Sequence, residues 1–216
     1  DADGLPDPVA FNYEWLRNGE AIINATDETY TLTQADVGAV ISVMVSYTDQ
    51  LGTDESVTSD ATTAVANVND DPTGGVTITG TPTDDQTLTA DTSALADADG
   101  LPDPLTFSYQ WQSSSDGFTW TDVAGATSAE FTPGDSEVGL QLQVVANYTD
   151  GQDTVESVTS SATSAVANVN DAPVGFLASI TGDATEDATL TASASVASDA
   201  DGLPDPVAFN YEWLRN

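Results

Sequence analysis

Carboxylates are the one side-chain chemistry this sequence offers in quantity. The 216 residues carry 36 Asp and Glu against two basic residues, Arg17 and Arg215, for a formal net charge of −34, and they include no His, Cys or Lys. Without His or Cys there is no Ser-His-Asp or Cys-His centre and no zinc site of nitrogen and sulfur ligands; without Lys there is no Schiff base. A glycosidase needs one protonated and one ionised carboxyl flanking a cleft. Here the acids sit in short phrases that repeat along the chain, so we read the protein as non-catalytic. Nucleic acid and anionic membrane surfaces are excluded as partners, because both demand Lys or Arg. Cations held by oxygen are what the composition favours.

The acidic phrases also set the organisation. DADGLPDP begins at Asp1, Asp97 and Asp199, giving spacings of 96 and 102 residues, close to the length of one sandwich domain. Residues 1–18 recur letter for letter at 199–216, while the middle copy diverges into LTFSYQWQ. ANVNDDP at 66–72 and ANVNDAP at 167–173 are polar steps closed by Pro and read as linkers. On that phasing residues 1–69 are a repeat without its first strands, 70–169 are a complete repeat, and 170–216 are the first strands of a further one. With no initiator Met, the sequence reads as a window cut from a longer array. No apolar run approaches membrane-spanning length, so membrane insertion is not expected.

Strands must position these acids, since the pattern holds little helical periodicity. In the complete repeat we place strands near 75–80, 86–92, 105–113, 118–122, 128–132, 139–149 and 154–167. Phe107, Tyr109 and Trp111 alternate with Ser108 and Gln110, as Phe11, Tyr13 and Trp15 do in the first copy, so one face of each strand is core. Leu142, Val144, Ala146 and Tyr148 repeat the alternation, matching Ile41, Val43, Val45 and Tyr47. Asn18-Gly19 and Asp116-Gly117 are the residue pairs that tight hairpins favour. The chain is therefore expected to be all-β: tandem immunoglobulin-like Greek-key sandwiches of about 100 residues set end to end.

At this point a resemblance is visible. The YxW strand, TYTLTQADVGAVISVMVSYTD, ESVTS, AVANVNDxP and DADGL together resemble the tandem bacterial immunoglobulin-like, cadherin-like repeats of giant surface adhesins, including those of the repeats-in-toxin type. The resemblance covers essentially the whole chain. It implies extracellular extender domains at the bacterial cell surface, exported by type I secretion, rigidified by calcium, and set between an anchoring end and a ligand-binding tip. There is no GGxGxDxUx nonapeptide run, and no repeat departs from the spacer pattern as an adhesive tip would, so the adhesive ligand is expected to bind elsewhere.

Sandwich topology brings a repeat's opening linker, its second-to-third-strand loop and its sixth-to-seventh-strand loop to one end. For the complete repeat that end collects Asn69, Asp70 and Asp71, then Asp97, Asp99 and Asp103, then Asp150 and Asp153. The third repeat offers Asn170, Asp171, Asp199, Asp201 and Asp205, and the first offers Asp1, Asp3, Asp7, Asp49 and Asp54. Like charges this close raise one another's pKa unless a cation joins them, and Ca2+ takes six to eight oxygens in variable geometry. These residues are thus candidate calcium ligands at junctions between neighbouring repeats. NVNDxP resembles the cadherin calcium linker, whereas DADG is not an EF-hand loop, having Gly at its fourth position and no Glu at its twelfth. The plainer reading is that Asp and Gly make turns and keep the surface soluble. Asp84, Asp85, Asp183, Glu186 and Asp187 fall at the opposite end and read as solvated turns.

The expected function is a calcium-stiffened spacer whose partners are neighbouring repeats of its own chain. One alternative is a subunit of an extracellular filament or surface layer, self-associating laterally or end to end. Another is a carbohydrate-binding module using Trp120 and nearby loops.

Overall fold

Apolar-polar alternation in NYEWLR and ISVMVSYT is what a half-buried strand requires, and both segments pair. The computed structural model describes residues 4, 5 and 7–215. Strands β1 (Asn12–Arg17), β2 (Glu20–Ala21), β3 (Ile41–Thr48) and β4 (Asp54–Thr58) form an antiparallel sheet in the order β2-β1-β3-β4. Asn18 and Gly19 join β1 to β2 with φ of 51° and 85°, the positive values that a two-residue hairpin turn demands. A 3₁₀ turn, Gln34–Asp36, precedes β3.

That turn holds an ion pair. Asp36 is fully buried, and its Oδ1 lies 2.7 Å from Arg17 Nη2 and accepts from Nε at 2.8 Å. Its Oδ2 accepts from the Thr33 N–H, the Thr33 hydroxyl and the Tyr30 hydroxyl. Burial pushes the Asp36 pKa up, but the Thr33 N–H, Arg17 and the two hydroxyls outweigh it and hold the carboxyl below the ordinary value.

The chain divides into two compact units. One comprises the described residues up to Thr73 with Ala96–Thr106 and Thr149–Glu156; the other comprises Gly74–Leu95, Phe107–Tyr148 and the described residues from Ser157 onward. Beyond Thr73 the strands are β5 (Thr77–Thr79), β6 (Leu88–Asp91), β7 (Ser108–Ser114), β8 (Thr121–Asp122), β9 (Glu130–Phe131), β10 (Gln141–Thr149) and β11 (Val155–Thr159). They make two antiparallel sheets, β5-β6-β9 and β11-β10-β7-β8. In the second unit Val76, Leu88 and Ala90 share one core cluster with Trp111, Leu142, Val144, Ala146 and Val166. Trp111 is its largest buried side chain; its indole N–H donates to the Ser128 carbonyl at 2.9 Å, and its ring packs 5.5 Å from Phe131. A separate hairpin, β12 (Leu177–Thr181) and β13 (Thr191–Ser195), follows.

The fold is therefore all-β with antiparallel sheets, and among the described residues the only helical pieces are 3₁₀ turns. Two local expectations change. The strand expected over 154–167 ends at Thr159, because the Ser160 and Thr163 hydroxyls take the N–H groups of Val144 and Leu142 that a strand carbonyl would otherwise accept. At Asp116-Gly117 only Gly117 has positive φ, so this is not the expected two-residue hairpin. Instead the Asp116 carboxylate accepts from the Thr119 and Phe118 N–H groups and the Ser114 hydroxyl, which lower its pKa to about 2. No described helix is long and apolar enough to cross a membrane.

Trp111→Ala should cost about 3–5 kcal/mol of unfolding free energy, measured by denaturant titration, since it empties the centre of the core cluster. Because the Asp36 pKa is lowered by folding, its contribution to stability is present above the unfolded carboxyl pKa and is lost as pH falls through the folded one. A carboxyl-carbon NMR titration should place Asp36 below the ordinary Asp value, and Arg17→Met should move that midpoint up. An unchanged midpoint would remove the ion pair from the account.

Candidate metal centres

The loop 97–100 and the turn 149–154 are shaped by their own carboxylates. Asp97 Oδ1 accepts from the Asp99 N–H at 2.9 Å, and Asp150 Oδ1 accepts from the Gln152 and Thr154 N–H groups at 2.8 and 2.7 Å. The two meet at Gly151, whose N–H donates to the Gly100 carbonyl at 2.8 Å. A Cβ on Gly151 would stand 2.6 Å from the Asp99 carbonyl oxygen, so the seat requires glycine. In the first repeat Gln50 holds the equivalent position, and the corresponding bond to Gly4 stretches to 3.4 Å.

This seating gathers three of the expected ligands. Asp97, Asp99 and Asp150 each offer a carboxylate oxygen within 4.8 Å of the others. Asp99 and Asp150 are buried, Asp97 half-buried. The Asp99 oxygens accept from the Asp70 N–H at 2.7 Å and the Gln34 amide at 2.8 Å, which ties the linker to the loop. Asn69 donates to Glu156 at 2.8 Å. Asp150 Oδ2 is buried with no hydrogen-bond partner among the described residues. A buried carboxylate oxygen without a donor is costly, and a hard cation taking oxygen ligands is the partner that fits it.

Other candidates stand apart from that trio. Asp70 and Asp71 have exposed side chains, as do Asp103 and Asp153. In the first repeat Asp49 copies Asp150: its Oδ1 accepts from the Leu51 and Thr53 N–H groups, and its Oδ2 is buried with no partner among the described residues. Asp54 is exposed and accepts from the Thr48 hydroxyl. Asp1 and Asp3 lie outside the described residues. Asp7 is exposed. In the third repeat the Asp201 N–H donates to Asp199, and Asp201 accepts from the Asp171 N–H at 2.6 Å, the same link as between Asp70 and Asp99. Asn170 donates to the Asp171 carbonyl, and Asp205 is exposed.

A second trio joins acids that the sequence separates. Asp84, Asp135 and Asp171 also bring carboxylate oxygens within 4.8 Å of one another. Asp84 is 1% exposed, so it is not the solvated turn its TDDQ context suggests. The bonds of its backbone explain this: the Asp84 N–H donates to the Ala167 carbonyl and the Asp85 N–H to the Pro133 carbonyl, pinning the turn against the linker and the 3₁₀ turn Asp135–Glu137. Partial desolvation, then the charges of Asp84, Asp171 and Asp201, raise the Asp135 pKa; desolvation, then Asp85, Asp201 and Asp84, raise that of Asp171. Sequence reasoning missed Gln34, Asp84, Asp135 and Glu156. The available signal was positional: Gln34 and Asp135 both stand three residues before a Val-Gly pair.

Asp150→Asn tests the first trio. The amide oxygen can still accept from Gln152 and Thr154 while one negative charge is removed, so the chelator-treated variant should melt no lower than wild type. Its calcium affinity should fall about tenfold or more, read by calorimetric titration. A lower melting temperature in chelator would mean that the free oxygen has a structural partner instead.

A family model described as a domain of unknown function (DUF8696) matches residues 78–171. That stretch runs from β5 into the linker and contains all six acids of the two trios. No curated protein and no solved structure matches the chain.

Proposed function

We propose that the chain is a non-catalytic extender of a bacterial cell-surface adhesin, made of tandem immunoglobulin-like sandwiches and stiffened by Ca2+ at the linkers between repeats. The reading takes residues 70–169 as the complete repeat and assigns the chain to the extracellular side. The observation that carries it is the Asp97–Asp99–Asp150 cluster, with its buried, unpartnered Asp150 Oδ2 next to a linker already bonded to Asp99. Repetition adds support, because the Asp171 to Asp201 link reproduces the Asp70 to Asp99 one. The strand order of residues 74–167 accords with a Greek-key sandwich, since β10 pairs with β7 in one sheet while β6 pairs with β9 in the other. The mechanism is electrostatic: carboxylates facing one another repel, the linker flexes, and a bound cation neutralises and locks it. Dissociation constants of about 10⁻⁴–10⁻³ M would suffice outside the cell.

An apolar surface favours a second reading, the self-associating filament. Phe176, Leu177, Ile180 and Trp213 are each more than half exposed beside the β12–β13 hairpin. For the carbohydrate reading, Trp120 is half-buried and its neighbour Phe118 is 90% exposed, which leaves one aromatic face open.

Small-angle X-ray scattering with a parallel thermal melt, on chelator-treated chain titrated with calcium, separates these readings. The spacer reading expects the maximum dimension to lengthen and the melting temperature to rise with calcium, and not with sodium at matched ionic strength. Equal responses to both salts would sink it. Mass growing with protein concentration would favour the filament.

A further inference from the structure

We propose that the β12–β13 hairpin of one copy of this chain docks on the first repeat of a second copy, taking there the place that β5 and β6 hold in the core of the second unit. The inference rests on the self-association reading, for which it names both faces of the contact, and not on calcium. The hairpin reproduces the register of β5 and β6: Ile180 pairs with Ala192 as Ile78 pairs with Ala90, and Leu190 stands two residues before its alanine as Leu88 does. Burial separates the two. Leu88 is fully buried, whereas Leu190 is 38% exposed and Ile180 63%. Tyr211 and Trp213 line a pocket with Ile180 and Ala192, yet residues 210–215 form no strand; the identical segment of a second copy is already ordered as β1.

The first repeat offers the matching face. Trp15 lies opposite Val43 as Trp111 lies opposite Val144, and each indole N–H donates to a backbone carbonyl, of Asp27 and of Ser128. Each ring packs on one aromatic, Tyr30 at 5.7 Å and Phe131 at 5.5 Å, so Tyr30 and Phe131 are equivalent. Phe131 belongs to β9, which pairs with β6 as Leu88 with Phe131 and Thr89 with Glu130. Thr29 and Tyr30, the counterparts of β9, form no strand. Trp15, Tyr30, Leu32 and Ile41 instead line a groove of about 480 Å³ with residues 62–66. Trp15 is only half-buried, whereas Trp111 is fully buried in one cluster with Leu88 and Ala90. By this equivalence Leu190 of one copy faces Tyr30 of the other and Thr191 faces Thr29, which supplies the missing ladder by strand addition. Charge permits the contact locally, because Glu186 holds the place of Asp84 and would approach the amide of Gln34, which opens its turn where Asp135 opens the other. Each chain presents one hairpin and one groove, so the contact is head to tail.

The chain has no cysteine, so single-cysteine variants report the contact directly. An equimolar mixture of full-length Thr29→Cys and Thr191→Cys, oxidised in about 0.5 M sodium chloride to screen the net negative charge, should give a mixed disulfide-linked dimer. Its yield should exceed that of either variant alone and that of Thr29→Cys mixed with Ser195→Cys, which stands four residues out of register. In sedimentation velocity the wild-type mass should grow with concentration, and Leu190→Asp and Leu32→Asp should each weaken the association about tenfold or more, the loss expected when burial of one leucine is forfeited. Should Leu190→Asp unfold the hairpin, Leu32→Asp decides, since Leu32 is already half exposed in its own repeat. Mass growth that neither aspartate variant affects, with no excess of mixed dimer, would overturn this contact and leave the filament reading standing. A constant monomer mass would overturn both. A Thr29→Cys/Thr191→Cys double variant that closes its disulfide within a monomer would assign the groove to the chain's own hairpin and overturn the second copy.

Discussion

Carboxylates that fold into contact must be satisfied by something, and in this chain Lys and Arg can almost never be that partner. Arg17 with Asp36 shows what a rare base achieves: a fully buried acid held ionised by a guanidinium, two hydroxyls and a backbone N–H. Elsewhere backbone N–H groups stand in. Asp97, Asp116 and Asp150 each cap their own loops in this way, so the acids that crowd the molecule also fold its turns. The supply of donors runs out where acids from different segments converge. Asp84 and Asp150 are left with buried oxygens that no donor among the described residues reaches.

The sheets decide where that convergence happens. Residues of β7 and β10 face one another as Trp111 with Val144 and Tyr109 with Ala146, and this register sets which side chains reach the core. Gly151 then lets the turn after β10 sit directly on the 97–100 loop. Carboxylates of the 97–100 loop and the 149–154 turn are thus brought within 4.8 Å of one another. Ligation by an external cation is the resolution that the proposed function adopts.

Much of this was legible in the residues. Alternation in FSYQW and QLQVVANY located β7 and β10, and the Asn18-Gly19 pair gave the β1–β2 turn. The DADG loop, the linker and the TDGQDT turn were expected to meet, and Asp97, Asp99 and Asp150 do. Asp84 and Asp135 were not legible as partners of Asp171, because they stand 87 and 36 residues before it and the chain between carries no local trace of the approach. Their meeting depends on the Thr83–Ala167 and Val138–Val166 bridges, which are long-range parallel contacts with no sequence signature.

The two copies of DADGLPDPVAFNYEWLRN separate what the residues determine from what their surroundings decide. The composition, the alternation and the turn-forming Asp and Gly are the same in both, and both carry a cis bond before the second proline. Yet Asn12–Arg17 is a strand whose Trp15 is half-buried, while 210–215 forms no strand and leaves Trp213 56% exposed. The first copy lies between β2 and β3, which complete its ladder on both sides; among the described residues the second has no such neighbours. Alternation states which face of a strand would be buried. Only a hydrogen-bonded partner, supplied by tertiary structure, satisfies the backbone groups and makes the strand.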